Sequence, residues 1–141
     1  MVELEWPSGM RASPADDPLR LADRGVPPNA VEAPTIVERN GEYFLFVSWD
    51  SYCQGLNSTY RIVVGRAEEV TGPYVDRAGI PLLNGGGTVL LESEGSRIGP
   101  GGESASEGYL AYHYYDGDAA GAPRLAISRI DWDADGWPVI G

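Results

Sequence analysis

The sequence has no lysine, one histidine and one cysteine in 141 residues. The lone thiol, Cys53, excludes an intrachain disulfide, and with His113 as the one imidazole there is no Cys/His cluster of the kind that holds zinc. All ten basic residues are arginines, set against 21 acidic ones, for a formal net charge of -11. So acidic a surface repels phosphate backbones and anionic headgroups, which argues against nucleic acid and membrane as partners. A neutral polymer such as a glycan is indifferent to that charge. No apolar run approaches the ~20 residues of a membrane-spanning helix. Residues 1–6 lack a basic stretch followed by an apolar one and do not read as a secretory signal, so any export information lies outside this chain.

What the chain does have is punctuation. It carries 19 glycines and 11 prolines, together with eight tyrosines and four tryptophans. That mixture suits short strands joined by turns and works against long helices. Apolar residues make up 43%, enough to build a core.

The chain repeats itself. Ala33-Pro34 precedes the run from Gly41 to Asp50, and Gly99-Pro100 precedes the run from Glu107 to Asp116. Pro34 and Pro100, Tyr43 and Tyr109, and Asp50 and Asp116 share one offset. A polar, glycine-containing loop follows each aspartate, then a second strand: Tyr60 to Arg66 in one unit, Arg124 to Ile130 in the other. Each unit closes near a turn with an aromatic, Gly72-Pro73-Tyr74 and Gly136-Trp137-Pro138. Asn40-Gly41 between two apolar runs is a two-residue hairpin signal. Each unit therefore reads as a four-stranded meander, the shape of a propeller blade.

The expected organisation is all-β: 1–10 the end of a preceding blade, 11–32 a proline-rich linker, 33–83 one blade and 84–141 the last. Asn84-Gly85-Gly86-Gly87-Thr88 is expected to be a flexible crossing between the blades; no Lys-Ser/Thr follows it, so it is no phosphate loop. Blades of this kind take about 40–50 residues and a ring needs about four to eight of them, so 141 residues read as part of a propeller. A small sandwich that only looks repetitive is the other topology open here.

The residues themselves carry a resemblance. Asn29-Ala30-Val31-Glu32-Ala33-Pro34 is similar to the segment that holds the general acid in arabinanases of glycoside hydrolase family 43. Phe46-Val47-Ser48-Trp49-Asp50, Cys53-Gln54-Gly55-Leu56-Asn57-Ser58-Thr59-Tyr60, Val64-Gly65-Arg66, Thr71-Gly72-Pro73-Tyr74-Val75-Asp76, Gly85-Gly86-Gly87-Thr88, Gly99-Pro100-Gly101, Tyr112-His113-Tyr114-Tyr115-Asp116 and Gly136-Trp137-Pro138-Val139 agree with it in order and spacing. Gly102-Glu103 departs from the His-Asn or His-Ser that usually follows Gly-Pro-Gly in these enzymes.

The resemblance implies about two blades, and the end of a third, of a five-bladed β-propeller. It implies endo-hydrolysis of α-1,5-linked arabinan with inversion, and secretion. Such enzymes pair two carboxyl groups across the bond, one protonating the leaving oxygen and one activating water. Glu32 matches the acid. The base and a third, pKa-raising carboxylate belong to N-terminal blades, so the partners implied are arabinan or a related plant polysaccharide, and those blades or a second copy of the chain. Asp50 and Asp116 are the carboxylates that a base within this chain would draw on. His113 matches a histidine on the propeller axis that holds a metal, commonly calcium, largely through bound waters. Ser48, Trp49 and Tyr114 are expected to border the sugar cleft, where aromatic faces stack on sugar rings, and Cys53 to line the same groove.

Each of these residues also has a plainer reading. Glu32 reads equally as a surface residue at a strand start, and His113 as a satisfied core residue. Ser48, Trp49 and Tyr114 read as strand packing, and Cys53 as an inert buried or loop thiol. Arabinofuranosidase or β-xylosidase action within the same family stays open, as do a non-catalytic carbohydrate-binding module and a truncated remnant.

Overall fold

Asn40 and Gly41 both take positive φ, 54° and 82°, the pairing that lets a two-residue turn follow the right-handed twist of its strands. Glu107 and Gly108, at 49° and 82°, repeat that geometry at the equivalent place in the second unit. Each turn joins the first two strands of one sheet. The computed structural model describes all 141 residues and contains eight strands with three short 3-10 turns. The first sheet is β1 (Val31–Arg39), β2 (Glu42–Trp49), β3 (Arg61–Ala67) and β4 (Thr88–Leu91). The second is β5 (Arg97–Ser106), β6 (Tyr109–Asp116), β7 (Ala122–Trp132) and β8 (Pro138–Ile140). Both run in simple sequential order with antiparallel neighbours. They are two blades of a β-propeller.

Side-chain alternation along β2 sets how the blades stack. Phe44 and Phe46 point one way, into a core with Ile62, Val64, Leu91, Leu110, Tyr112, Ile130 and Trp137, which joins the two sheets. Leu45, Val47 and Trp49 point the other way, onto Val63, Ala67, Tyr74 and Leu82. The first blade is thus covered on both faces. The second is covered on one: on the outer face of β7, Leu125 and Ile127 are 71% and 66% exposed.

Three expected boundaries move. The first blade does not close at residue 83, because its fourth strand, β4, lies beyond the triple glycine and pairs with β3. Residues 84–88 are accordingly not a crossing between blades. Gly87 lies against the Trp49 ring, where a Cβ would come within 2.6 Å of Cη2, so close packing is what requires a glycine there. The crossing is instead residues 92–96. Nor does the blade close at Gly72-Pro73-Tyr74: Tyr74 is buried, and Val75 makes single bridges to Arg66 and Pro81.

Ahead of the first blade, residues 1–10 join neither sheet. They form a small exposed loop closed by one bridge, Leu4 to Arg11. Part of the expected linker is tied down. Leu21 and Ala22 pack on the face of the first blade turned away from the second, and the Asp23 amide donates to the Leu82 carbonyl at 2.9 Å.

Candidate active site

Glu32 sits near the start of β1, directly opposite Ser48 on β2. The ladder breaks just after it, between Glu32 and Thr35, where Ala33 takes φ 49°. Such a bulge re-aims a side chain at a sheet edge. Glu32 is exposed, and its Oε2 accepts a hydrogen bond from the Tyr60 phenol at 2.9 Å. Tyr60 itself is 2% exposed, just ahead of β3. Burial above all holds its phenol in the neutral, donating form, and the negative charges of Glu32 and Glu103 act in the same direction.

Ser48 is fully buried. Its Oγ accepts from the Gly102 amide at 2.9 Å and donates to Glu103 Oε2. Glu103, on β5, is 5% exposed, and its Oε1 has no partner. Burial pushes its carboxyl up to about 7, against the opposing pull of Ser48 and of its own backbone amide. Glu32, Ser48, Tyr60 and Glu103 thus form one cluster across the seam between the blades. Tyr60 and Glu103 were not among the expected site residues.

His113, on β6, faces the same region. Its ring makes an edge contact with Tyr52 (4.5 Å between centroids) and lies 6.1 Å from Tyr60. Burial lowers its pKa, and its Nε2 is buried without a partner. Gly102 lies over the ring with φ +64°; a Cβ there would stand 2.1 Å from His113 Cε1. The histidine that usually follows Gly-Pro-Gly in the family has no room beside His113 as it lies here. No group of three or more His, Cys, Asp or Glu side chains is gathered within this chain, so His113 Nε2 is the one nitrogen that it offers an axial ion.

The remaining candidates separate. Cys53 is exposed, with φ 60°, in the β2–β3 loop, next to the stacked rings of Tyr52 and Tyr115; it is not a buried thiol. Trp49 is 5% exposed and packs on the far face of the first blade with the Arg24 guanidinium 4.4 Å over its ring. Tyr114 packs against the core between the blades. Neither joins the cluster around Glu32. Asp50 is engaged by Arg24 at 2.9 Å and Arg61 at 3.0 Å. Asp116 accepts from the Asp118 amide at the head of a 3-10 turn and pairs with Arg124. Both carboxylates are committed to holding loops.

Two successive four-stranded antiparallel blades, with the exposed Glu32 near the start of the first strand of one, define part of a β-propeller. The model of Glycosyl hydrolases family 43 matches residues 3–138, and the chain belongs to that family, whose arabinanases are five-bladed propellers. It is 46% identical over 110 residues to an extracellular endo-α-(1→5)-L-arabinanase of Bacillus subtilis (strain 168), covering 77% of this chain and 34% of that protein. It is 38% identical over 114 residues to an extracellular exo-α-(1→5)-L-arabinofuranosidase of Cellvibrio japonicus (strain Ueda107), covering 78% and 33%. Among solved structures, the endo-arabinanase of Bacillus licheniformis superimposes with a TM-score of 0.92 at 37% identity, over 98% of this chain and 47% of that one. The chain therefore spans about a third of these curated relatives and about half of the solved structure.

Proposed function

We propose that this chain supplies the general acid of an inverting glycosidase that cleaves α-1,5-linked arabinan internally, and that Glu32 is that acid. What carries the reading is the placement of Glu32: an exposed carboxyl, braced by the buried Tyr60 phenol at 2.9 Å, in a chain of this family. A carboxylic acid there protonates the oxygen of the departing sugar while a carboxylate across the cleft takes a proton from the attacking water. Inverting enzymes hold the two carboxyl groups about 6.5–9.5 Å apart to admit that water. Asp50 and Asp116 are both held by arginines, so the base comes from outside these residues, from N-terminal blades or from a second copy. A calcium ion on the axis would take His113 as its one ligand here, with an oxygen shell from water or other blades, and no step depends on it. The names of the relatives as extracellular support a secreted parent.

The product pattern tests the substrate and the mode of attack. Linear α-1,5-arabinan incubated with the chain and its completing blades is expected to yield a ladder of arabino-oligosaccharides, each born with inverted anomeric configuration by proton NMR. The exo-acting relative from C. japonicus favours a second reading. Release of monosaccharide alone, or activity confined to branched arabinan or xylan, decides for that reading or for another family activity.

A further inference from the structure

Glu103 is the one carboxylate buried in the protein, and nothing in the acid's chemistry requires it. It lies on β5 of the second blade, yet its hydrogen-bond partner is Ser48 of the first, and Ser48 stands directly opposite Glu32. Ser48 also bears on the Tyr60 phenol, although the one hydrogen bond that the phenol makes is to Glu32. Four side chains are therefore in series: Glu103, Ser48, Tyr60, Glu32.

We propose that Glu103 is a positioning residue of this site, acting through the Ser48 hydroxyl to set the direction in which the Tyr60 phenol is held against Glu32. This rests on the reading of Glu32 as the acid. The mechanism follows from the protons available. Ser48 Oγ already accepts from the Gly102 amide. A carboxylate at 103 draws the serine proton toward itself. A protonated Glu103 instead donates to Ser48 Oγ and frees the serine proton to turn toward Tyr60, whose own proton points at Glu32 Oε2. The series then runs in one direction, from the buried carboxyl to the exposed one. Successive hydrogen bonds aligned in this way polarise one another. The unpartnered Oε1 fits a group that spends part of its time neutral, since an ionised oxygen buried without a partner is costly.

The other titratable groups facing this series are Tyr52, from the β2–β3 loop, and His113, from β6. Burial lowers the His113 pKa, so its transition lies on the acid side of 6.5 and is followed independently through its Cε1 proton. Tyr60 does not ionise in the range of interest.

The test reads Tyr60 directly and needs no turnover. The full chain is labelled with carbon-13 at tyrosine Cζ, and the Tyr60 signal, identified by Tyr60→Phe, is followed from pH 5 to 9. In the wild-type chain it is expected to move through a single step centred near pH 7. Glu103→Gln, which is neutral at every pH and whose amide nitrogen donates to Ser48 Oγ in place of the protonated carboxyl, is expected to hold the signal at its low-pH position throughout. Ser48→Ala is expected to abolish the step with Glu103 intact, and it decides the matter if Glu103→Gln fails to fold. Glu32→Gln is expected to keep the step. A wild-type signal with no step near pH 7, or a step that survives Glu103→Gln or Ser48→Ala, overturns the proposal. A step lost in Glu32→Gln alone assigns it to Glu32 and overturns the proposal as well. Failure of the acid reading is seen elsewhere: a fully active Glu32→Gln chain removes the acid but leaves the Tyr60 signal as described.

Discussion

Glu32→Gln is expected to slow hydrolysis of linear α-1,5-arabinan by roughly 10²–10⁴-fold, the usual contribution of a positioned general acid. The substitution is well suited to the question. Glutamine keeps the size of the side chain and an oxygen to accept the Tyr60 proton, so the cluster stays assembled. Because Glu32 is exposed, the melting temperature should hardly move, with a stability change within about 0.5 kcal/mol. What is lost is the proton for the departing sugar. An aryl arabinofuranoside whose leaving group is a stable phenolate does not need that proton, and its hydrolysis should fall far less than that of arabinan. Reducing-sugar release from the polymer, set beside phenolate release from the aryl glycoside, reads both effects, in the chain alone and together with the N-terminal blades of a relative. An equal loss on both substrates would mean that Glu32 acts on binding or folding rather than as the acid. An undiminished rate on arabinan would remove it from the chemistry.

Glu103→Gln is expected to make the protein more stable at pH 8 and to leave it unchanged near pH 4.5. The folded chain holds Glu103 at about 7, raised by burial from the 4.5 that is ordinary for a glutamate. The folded state thus keeps a proton that the unfolded chain gives up. Stability linked to that proton is present in full below 4.5, declines as the unfolded chain ionises, and is gone once pH has risen through 7. At 1.36 kcal/mol per pH unit the decline is on the order of 3 kcal/mol. In a chain of this size that is a melting shift of about 5–10 °C. Glutamine has no proton to lose, so the two melting curves should coincide at pH 4.5 and part as pH rises to 8. Thermal melts followed by circular dichroism at four or five pH values suffice. Parallel curves across that range would show that Glu103 ionises in the folded protein as it does in the unfolded chain.

The parts of this structure that sequence made legible are those set by neighbours along the chain. Asn40-Gly41 forms the expected hairpin because only certain residues tolerate two successive positive φ values. The Tyr-rich and β-branched runs are strands because they alternate. The fourth strand of the first blade was misplaced for a reason of the same kind. Residues 68–87 contain turn residues and an aromatic that mimic a blade end, whereas pairing with β3 resumes only at Thr88.

At the site, two expectations conflict with strand parity. Ser48 and Trp49 are adjacent on β2, and His113 and Tyr114 on β6, so each pair points to opposite faces of its sheet. One member of each pair faces the cluster and the other is core. That much was available from the sequence. The Ser48–Glu103 contact was not, because it depends on how β5 docks on β2 across 55 residues of chain. The sole hint was the departure of Gly102-Glu103 from the family pattern. In the structure the small residue makes room for His113, and the acidic one turns to the other side, into the seam.

The unequal covering of the two blades bears on how the chain breathes. The amides of β2 and β3 lie in a ladder with strands on either side and packed side chains above and below. Those of β7 between residues 124 and 129 have β6 on one side and no partner on the other, since β8 pairs only with Ile130, Asp131 and Trp132. Local opening therefore frees β7 at little cost, while β2 exchanges its amide protons only when the whole chain unfolds. In deuterated buffer the last blade should label in minutes and the first should lag by orders of magnitude. Glu32 on β1 is thus mounted on the slowly opening blade, while Glu103, which takes the Ser48 hydrogen bond across the seam, belongs to the one that opens first.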